Sequence, residues 1–419
     1  MDKKLGQPYT VRFPSKDGLG NFEKDAKWWN KNEGGVDNIL TADDNGHRRM
    51  RRLQNPAFSD KALRQQEPVI ERYTSLMIHK LHGEVAGGNE ASVDIMSWYH
   101  FLMFDLIGDL AFGEPFYCLR DAQWHWWLRA VFEIFQAGTY IRAARRFQSV
   151  VYYLVLLLVI PKRLLKTRKD QYTFGCERVD RRLQQESDRP DFMSYILRSD
   201  DKNGMTVEEM YTTAQVLIVA GSETTATGLT AATYFLLSNP STWQKLCSEI
   251  RGQFAKEDDI TIQSTAGLTY LNAVIDETLR LCPPGPGTFP RTVPASGKMV
   301  CGQWVPGGYT VGVHHLATGR SKLNFQQADA FFPERWLGDE AFSADKKTAM
   351  QAFSFGPRNC IGKNLALTEM RTILARVAWN FDLELDPMSF GWLDKQKMFT
   401  TWHKTEMMVR LKPRSTPDC

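Results

Sequence analysis

Apolar residues recur at helical spacing in two stretches of the second half of the chain. One covers 268–281 and ends at the helix-breaking pair Pro283-Pro284. The other begins after Cys360 and runs to Val377, where apolar and polar residues begin to alternate over 381–385. The helical spacing predicts two helices, and the alternation predicts a strand directly after the second helix.

A third and longer helix is predicted upstream of these two. Thr206 and Glu209 have the spacing of a capping box, which marks a helix start, and Ser238-Asn239-Pro240 ends the segment. About thirty residues that each rise about 1.5 Å give a helix of roughly 45 Å. A helix of that length can cross a whole domain.

One run of the chain is apolar without interruption. Val150–Ile160 contains eleven apolar residues between Arg145-Arg146 and the basic segment 161–163. A bilayer-spanning helix needs about 20 residues, so the run is too short to cross a membrane. Two interpretations remain open: the run dips into one face of a bilayer, or it forms a buried helix.

The composition is that of an enzyme-sized folded protein. The chain has 419 residues, of which 43% are hydrophobic and 24% charged, and it shows no linker or internal repeat, so we expect one domain over residues 1–419. A net charge of +4 and the lack of a groove-reading motif argue against nucleic-acid binding. The seven cysteines show no Cys-x-x-Cys spacing, which argues against zinc, iron–sulfur and disulfide-scaffold classes and favours a reducing compartment.

The most informative motif surrounds Cys360. Phe353, Gly356, Arg358, Cys360 and Gly362 stand at fixed spacing in a loop that precedes the predicted helix. Backbone N–H groups at a helix N-terminus favour a thiolate, the glycines allow close approach of a flat cofactor, and an arginine suits a carboxylate. A lone cysteine is usually an ordinary buried residue. The five matched positions together favour a haem-iron ligand.

This motif, Phe-x-x-Gly-x-Arg-x-Cys-x-Gly, resembles the haem-binding signature of the cytochrome P-450 superfamily of haem-thiolate monooxygenases. The resemblance implies a mainly α fold with small β-sheets, in which a long central helix crosses over the haem and the cysteine loop lies beneath it. It also implies haem b (iron protoporphyrin IX), O2 as co-substrate, and electrons from NADPH through an NADPH-cytochrome reductase.

Two further motifs follow the family's order along the chain. Glu277 and Arg280 are three residues apart on a predicted helix, and Arg335 in Phe-Pro-Glu-Arg-Trp matches the third member of the family's buried charge triad. The resemblance gives these three residues a structural role, that of fixing the cysteine loop. Taken alone, a Glu-x-x-Arg pair would be an ordinary surface pair.

The segment 220–225 in the long predicted helix resembles the family's oxygen-binding motif. Gly221 costs about 1 kcal/mol relative to Ala in a helix, which suggests a function. The resemblance implies that this missing side chain makes room for dioxygen and that Thr224 and Glu223 relay protons as the catalytic pair. Without its place in the motif order, the segment would be interpreted as a flexible stretch of helix.

His47 and Arg51 lie one helical turn apart and resemble the family's pair that binds the haem propionates. Arg291, after Pro290, matches a further propionate contact. The neighbouring Arg48, Arg49 and Arg52 are partly explained as a solvated basic face. Together with Lys363, these three arginines suggest a docking surface for an acidic redox partner.

Longer strings resemble the fungal members that modify secondary metabolites, the trichothecene-hydroxylase type among them. The clearest is 104–116, Phe-Asp-Leu-Ile-Gly-Asp-Leu-Ala-Phe-Gly-Glu-Pro-Phe. The resemblance implies a monomer that acts on a small apolar terpenoid, polyketide or alkaloid. The alternative is a truncated, catalytically idle haem-binding protein. The positions that match the family's pocket lining are Leu40, Ala220, Thr288, Phe289 and Phe399.

The first 43 residues depart from the family's pattern. They are polar and carry no signal or anchor, whereas eukaryotic members normally begin with a membrane-spanning helix. The resemblance therefore leads us to expect that about a hundred residues of the usual family pattern are missing before this sequence begins. It also leads us to expect the cytosolic face of the endoplasmic reticulum membrane as the location of any longer form that carries an anchor.

Overall fold

Helices dominate the computed structural model, which describes residues 22–29, 35–85, 90–147, 149–185, 189, 191–197 and 204–414. The helices in these ranges are α1 Asp44–Gln54, α2 Asp60–Glu84, α3 Ile95–Phe112, α4 Cys118–Asp121, α5 Trp126–Ala144, α6 Ser149–Leu158, α7 Lys162–Gln184, α8 Phe192–Leu197, α9 Val207–Ser238, α10 Pro240–Gln253, α11 Ile262–Ala266, α12 Thr269–Leu281, α13 His315–Gly319 and α14 Lys363–Asn380.

The strands are short and all their pairings are antiparallel. They are β1 Glu23–Lys24, β2 Ala91–Asp94, β3 Arg291–Thr292, β4 Lys298–Val300, β5 Gln303–Val305, β6 Thr310–Val311, β7 Phe381–Leu385, β8 Lys397–Met398, β9 Trp402–His403 and β10 Met408–Pro413. Two three-stranded sheets have the orders β1-β3-β6 and β2-β10-β7, and β4-β5 and β8-β9 form two-stranded sheets. The predicted fold class, mainly α with small sheets, is confirmed.

Helices α9 and α3 pack closely against each other. Nearly every residue of α3 is buried, and Tyr99 in α3 hydrogen-bonds the Thr233 hydroxyl of α9 at 2.9 Å. Gly221 lies at this contact, since a Cβ there would come within 3.1 Å of Ile107 Cδ1. Gly221 is therefore a position of close helix packing against Ile107. The space for dioxygen that the resemblance implied stays a prediction.

The predicted helix boundaries agree with the structure. The capping box of Thr206 and Glu209 is formed at the start of α9, which ends at Ser238. Helix α12 ends at Leu281, two residues before the proline pair, and α14 is followed directly by β7 at 381–385. These elements were predictable because their start and stop signals are local.

Helix α6 carries most of the apolar run, and much of this helix is exposed. Val150, Tyr153, Leu157 and Leu158 are 66–76% accessible. The interpretation of this run as a buried helix is therefore wrong. Among the described residues, no helix combines the length and apolar character that crossing a bilayer requires.

Candidate haem site

The cysteine loop is held by its own backbone. Cys360 N–H donates to the Phe353 carbonyl at 2.9 Å, and Asn359 N–H donates to the Gly356 carbonyl at 3.0 Å. Gly356 adopts a φ of +87°, a conformation that favours glycine. Helix α14 begins three residues after Cys360, with Gly362 as its N-cap. The tight turn thus presents the sulfur at the start of a helix.

Cys360 is accessible in this structure, although protein atoms surround its side chain closely. Burial raises the pKa of the Cys360 thiol, while the Gly362 N–H, Arg51 and Lys363 act in the opposite direction. A bound metal ion deprotonates a coordinating thiol outright, so these opposing groups would support the thiolate.

Four cationic or ionisable side chains converge beside the cysteine loop: Lys24, His47, Arg291 and Arg358. Lys24 lies directly opposite Arg291 across the β1-β3 pair. Burial first, and then the charges of Arg358 and Arg291, lower the pKa of Lys24 to about 6. Burial, Arg358, Lys24 and Arg51 lower the pKa of His47 to about 4. Like charges directly opposite each other in a sheet are destabilising, so this cluster calls for an anion.

The cluster fits the propionates of a haem. Arg358 donates to Asp44 Oδ1 at 2.8 Å and to the Ala42 carbonyl at 2.9 Å, but its Nη1 is buried without a hydrogen-bond partner among the described residues. A buried unsatisfied donor is costly, and charged donors bind carboxylates most strongly. Four cationic or ionisable groups beside an accessible thiol therefore fit a haem with its two propionate carboxylates.

Arg51 has a contact that the sequence did not indicate. Its Nη1 donates to the Asn359 carbonyl at 2.6 Å and its Nη2 to Asn359 Oδ1 at 3.0 Å. Arg51 therefore ties α1 to the residue before Cys360. Lys24 was missed altogether, because a single lysine near the start of a chain with 52 basic residues carries no signal until strand pairing places it opposite Arg291.

Helix α9 has a short accessible patch near its middle. Ala220 is exposed and Thr224, one turn later, is partly accessible. The Thr224 hydroxyl donates to the Ala220 carbonyl at 2.6 Å. That bond uses the hydroxyl hydrogen and leaves the oxygen lone pairs free to accept a hydrogen bond from the accessible side.

Glu223 points elsewhere and is fully buried. Its Oε2 lies 2.9 Å from His100 Nε2, and its Oε1 accepts from Lys404, whose Nζ also donates to Thr227 Oγ1 at 2.8 Å. His100 Nδ1 lies 2.7 Å from the Met96 carbonyl, so each ring nitrogen of His100 lies beside an oxygen atom. Burial alone would raise the pKa of Glu223, but Lys404 and His100 outweigh it and the net pKa is lowered.

Glu277 lies at the centre of the buried charge cluster. Its carboxylate accepts from Arg280 Nε at 2.8 Å and Nη2 at 2.7 Å, and from Arg335 Nε at 3.2 Å. Trp336 Nε1 also donates to it at 2.9 Å, and Arg335 forms a second ion pair with Asp345. Asp345, which the sequence did not single out, balances the charge: two arginines face two carboxylates.

A cavity of about 320 Å³ opens beneath α5. Three of the five predicted pocket positions line it, namely Thr288, Phe289 and Phe399, together with Trp28 and Arg142. Leu40 is not among its lining residues and is 39% exposed. The pocket positions therefore do not all meet in one cavity.

The basic face proposed for a redox partner is smaller than expected. Arg48, Arg52 and Lys363 are exposed. Arg49 instead donates to the Gly204 carbonyl at 2.7 Å and forms an ion pair with Glu209, so its charge is used to join α1 to α9. Arg49 is therefore not counted among the residues of that surface.

Comparison with known proteins agrees with this geometry. A family model described as cytochrome P-450 matches residues 16–409. The cytochrome P-450 monooxygenase astJ of Aspergillus oryzae is 44% identical over 405 residues, covering 96% of this chain and 80% of that protein. The cytochrome P-450 monooxygenase lcsI of Purpureocillium lilacinum is 43% identical over 409 residues, covering 97% and 78%. Averantin hydroxylase of Dothistroma septosporum is 42% identical over 385 residues, covering 91% and 72%.

Proposed function

The chain belongs to the cytochrome P-450 family and is a monooxygenase, and on that premise we propose that it oxidises an apolar fungal secondary metabolite, a terpenoid, polyketide or alkaloid. The observation that supports this proposal is the accessible Cys360 thiol beside a cluster of cationic and ionisable side chains. An idle haem-binding protein is not favoured, because the relatives are named as monooxygenases and a hydroxylase.

We propose that haem b is the cofactor and that Cys360 is its iron ligand. Haem, when bound, supplies an iron centre at which O2 is activated, and a thiolate ligand pushes electron density toward that centre. Lys24, His47, Arg291 and Arg358 would hold the propionates, and Arg51 would fix the loop through Asn359. Phe353, partly buried against the core, would shield the sulfur from water.

Thr224 and Glu223 have different tasks in this proposal. The Thr224 oxygen, on the accessible side of α9, would accept a hydrogen bond from cavity water and so position a proton near the reaction site. Glu223 would supply a fixed negative charge on the buried side, one residue away. The substrate would be positioned by apolar contacts with the pocket lining, which decide which carbon reacts.

Electrons must come from a redox partner, and we propose an NADPH-cytochrome reductase in that role. Arg48, Arg52 and Lys363 are exposed near the start of α14 and suit an acidic docking surface. Charge reversal at Arg48 and Lys363 should raise the concentration of reductase needed for half-maximal haem reduction, measured by stopped flow with carbon monoxide.

We propose that α6 contacts the cytosolic face of the endoplasmic reticulum membrane. Its exposed Val150, Tyr153, Leu157 and Leu158 form an apolar patch, and arginines flank it in the sequence, as is typical of interfacial helices. The double variant Leu157→Asp/Leu158→Asp should abolish flotation with phospholipid vesicles. Equal flotation of variant and parent would contradict the proposal.

We further propose that residues 1–419 form one domain and that the protein is a monomer. The main buried core contains residues from Leu53 to Leu411, as expected when one core unites the chain. Light scattering should give a mass near 48.0 kDa.

The first test is the absorption spectrum of the purified, dithionite-reduced protein with carbon monoxide. We expect the strongly red-shifted band of thiolate-ligated haem, and we expect Cys360→Ala to abolish it. Cys301→Ala, at an exposed cysteine, is the matched control and should leave the band unchanged. A red-shifted band that persists in Cys360→Ala would overturn the ligand assignment.

A further inference from the structure

We infer that the substrate carries a carboxylate and that Arg142 binds it. This inference rests on the proposed function and narrows its substrate class to an apolar scaffold with one anionic group. The site is the cavity of about 320 Å³ whose wall includes the pocket positions Thr288, Phe289 and Phe399.

Aromatic rings form much of the cavity wall. Phe289 lies near Trp28, with ring centroids 5.8 Å apart in an edge-to-face arrangement, and Phe399 lies 6.3 Å from the Tyr140 ring. Rings in this arrangement offer apolar contact to a flat or branched scaffold. Apolar walls with a few placed polar groups are the usual construction of a small-molecule site.

Arg142 is a polar group of this cavity that has no counter-ion among the described residues. It comes from the last turn of α5, and its guanidinium lies over the Trp28 ring, 4.8 Å from the centroid. Its Nη2 donates to Thr139 Oγ1 at 2.9 Å and to Thr400 Oγ1. No carboxylate of the described residues forms an ion pair with Arg142, and its Nη1 and Nε have no hydrogen-bond acceptor there.

The surroundings of Arg142 add positive charge. Burial first, and then neighbouring Arg145, lower the pKa of Arg142 to about 10, so it still carries its charge at neutral pH. A partly buried cation without a counter-ion is costly, and a bound anion reduces that cost. A carboxylate is the anion whose oxygens match guanidinium donors best.

The second arginine of the cavity shows the contrast. Arg146 lines the same wall, but it forms an ion pair with Asp25 and donates to Thr310 Oγ1 at 3.2 Å. Asp25 is itself nearly buried and also accepts from Thr310 and from the Lys27 N–H. The charge of Arg146 is therefore balanced within the protein, whereas that of Arg142 is left for a ligand.

The helix makes room for this guanidinium. Gly138 lies one turn before Arg142, and a Cβ at 138 would come within 3.3 Å of Arg142 Nη1. A glycine inside a helix costs about 1 kcal/mol relative to Ala. The missing side chain at 138 leaves a space, and Arg142 Nη1 lies beside it.

Arg142 also joins α5 to Thr400, so a purely structural role is the competing explanation. Hydrogen bonds to two threonine hydroxyls need a donor, not a positive charge. Arg142→Gln keeps an amide donor and removes the charge, while Arg142→Lys keeps a charge and removes the planar guanidinium. The two variants therefore separate anchoring from anion recognition.

The experiment uses anthracene-2-carboxylate and its methyl ester as probes of the holoenzyme. Binding is followed by anthracene fluorescence and, separately, by the change of the haem Soret band. We expect the parent protein to bind the acid about tenfold or more tightly than the ester, the size expected of one charge-assisted hydrogen-bonded contact. Arg142→Gln should bring that ratio near one without weakening the ester, and Arg142→Lys should keep part of the preference.

Arg163→Gln is the matched charge control. Arg163 is 77% exposed and its nearest carboxylate, that of Glu133, is 3.8 Å away, so this variant should keep the parent's preference for the acid. Absence of any preference in the parent, or its persistence in Arg142→Gln, would overturn the inference. The carbon monoxide spectrum tests the proposed function separately. If the thiolate band is intact but the parent does not prefer the acid, the carboxylate site alone is refuted. If the band is missing, anthracene fluorescence still measures binding at Arg142.

Discussion

Replacing Glu223 by Gln should destabilise the protein strongly, because the buried network depends on its negative charge. The side chains of Glu223, Lys404 and His100 are 1%, 2% and 0% exposed, so water cannot replace the lost carboxylate. The amide of Gln has the same shape, but it leaves the Lys404 ammonium without a counter-ion and gives His100 a neutral partner. The perturbation is therefore electrostatic rather than steric.

The magnitude follows from the burial. Removing one partner of a buried ion pair costs about 3–5 kcal/mol, because the remaining charge stays desolvated. The double variant Glu223→Gln/Lys404→Met removes both charges and should recover most of that loss. The non-additivity in this cycle measures the coupling between the two residues.

The pH dependence has a definite sign. The lowered pKa of Glu223 means that its stabilisation is present above the unfolded-state value of 4.5 and is lost as pH falls through the lower folded-state pKa. Glu223→Gln lacks this contribution at every pH. The free-energy difference between parent and variant should therefore shrink as the pH is lowered below 4.5.

Urea unfolding followed by far-ultraviolet circular dichroism measures these free energies without any turnover. Glu334→Gln is the control: Glu334 pairs with Lys245 at 2.7 Å, but the two side chains are 25% and 57% exposed, so the expected loss is below about 1 kcal/mol. A loss of that size for Glu223→Gln, or additive losses in the double variant, would refute the reasoning.

Three further predictions concern the two other charge clusters and the proposed proton role of Thr224. Glu277→Gln leaves Arg280 and Arg335, both fully buried, with Asp345 as their only ion-pair carboxylate among the described residues, and should cost about 3–5 kcal/mol in urea unfolding and lower the haem content on purification. Lys24→Met should stabilise the haem-free protein at pH 7. It should also abolish the rise in stability between pH 6 and 10.5 that follows from the lowered pKa of Lys24. The same variant should speed haem transfer to apomyoglobin, and slower transfer would contradict the propionate role. Thr224→Ala should keep the thiolate carbon monoxide band but lower the ratio of product to NADPH consumed, and an unchanged ratio would count against a proton role for Thr224.

What the sequence predicts well in this chain is local. The capping box of α9, the prolines after α12 and the alternation in β7 act within a few residues, and each element was found where its signals stand. The family resemblance is confirmed because its motifs are fixed spacings along the chain. The roles of the individual site residues stay predictions.

What the sequence missed is long-range. Lys24 faces Arg291, and Lys404 reaches Glu223 from 181 positions away. His100 joins the same carboxylate from α3, and no motif marks either residue. Asp345 completes the cluster around Glu277 only because Arg335 contacts both carboxylates. Such contacts depend on how distant parts of the chain fold against each other, which residue spacing along the sequence does not show.

The geometry of α9 explains how two neighbouring residues of one motif can have different roles. Successive side chains on a helix point about 100° apart, so Thr224 reaches the accessible side while Glu223 is turned into the contact with α3. Glu223 could release or accept a proton only by disturbing its bonds to Lys404 and His100. Direct proton transfer from Glu223 to Thr224 therefore requires this network to open. A carboxylate that stays in place would influence proton transfer at Thr224 through its charge alone.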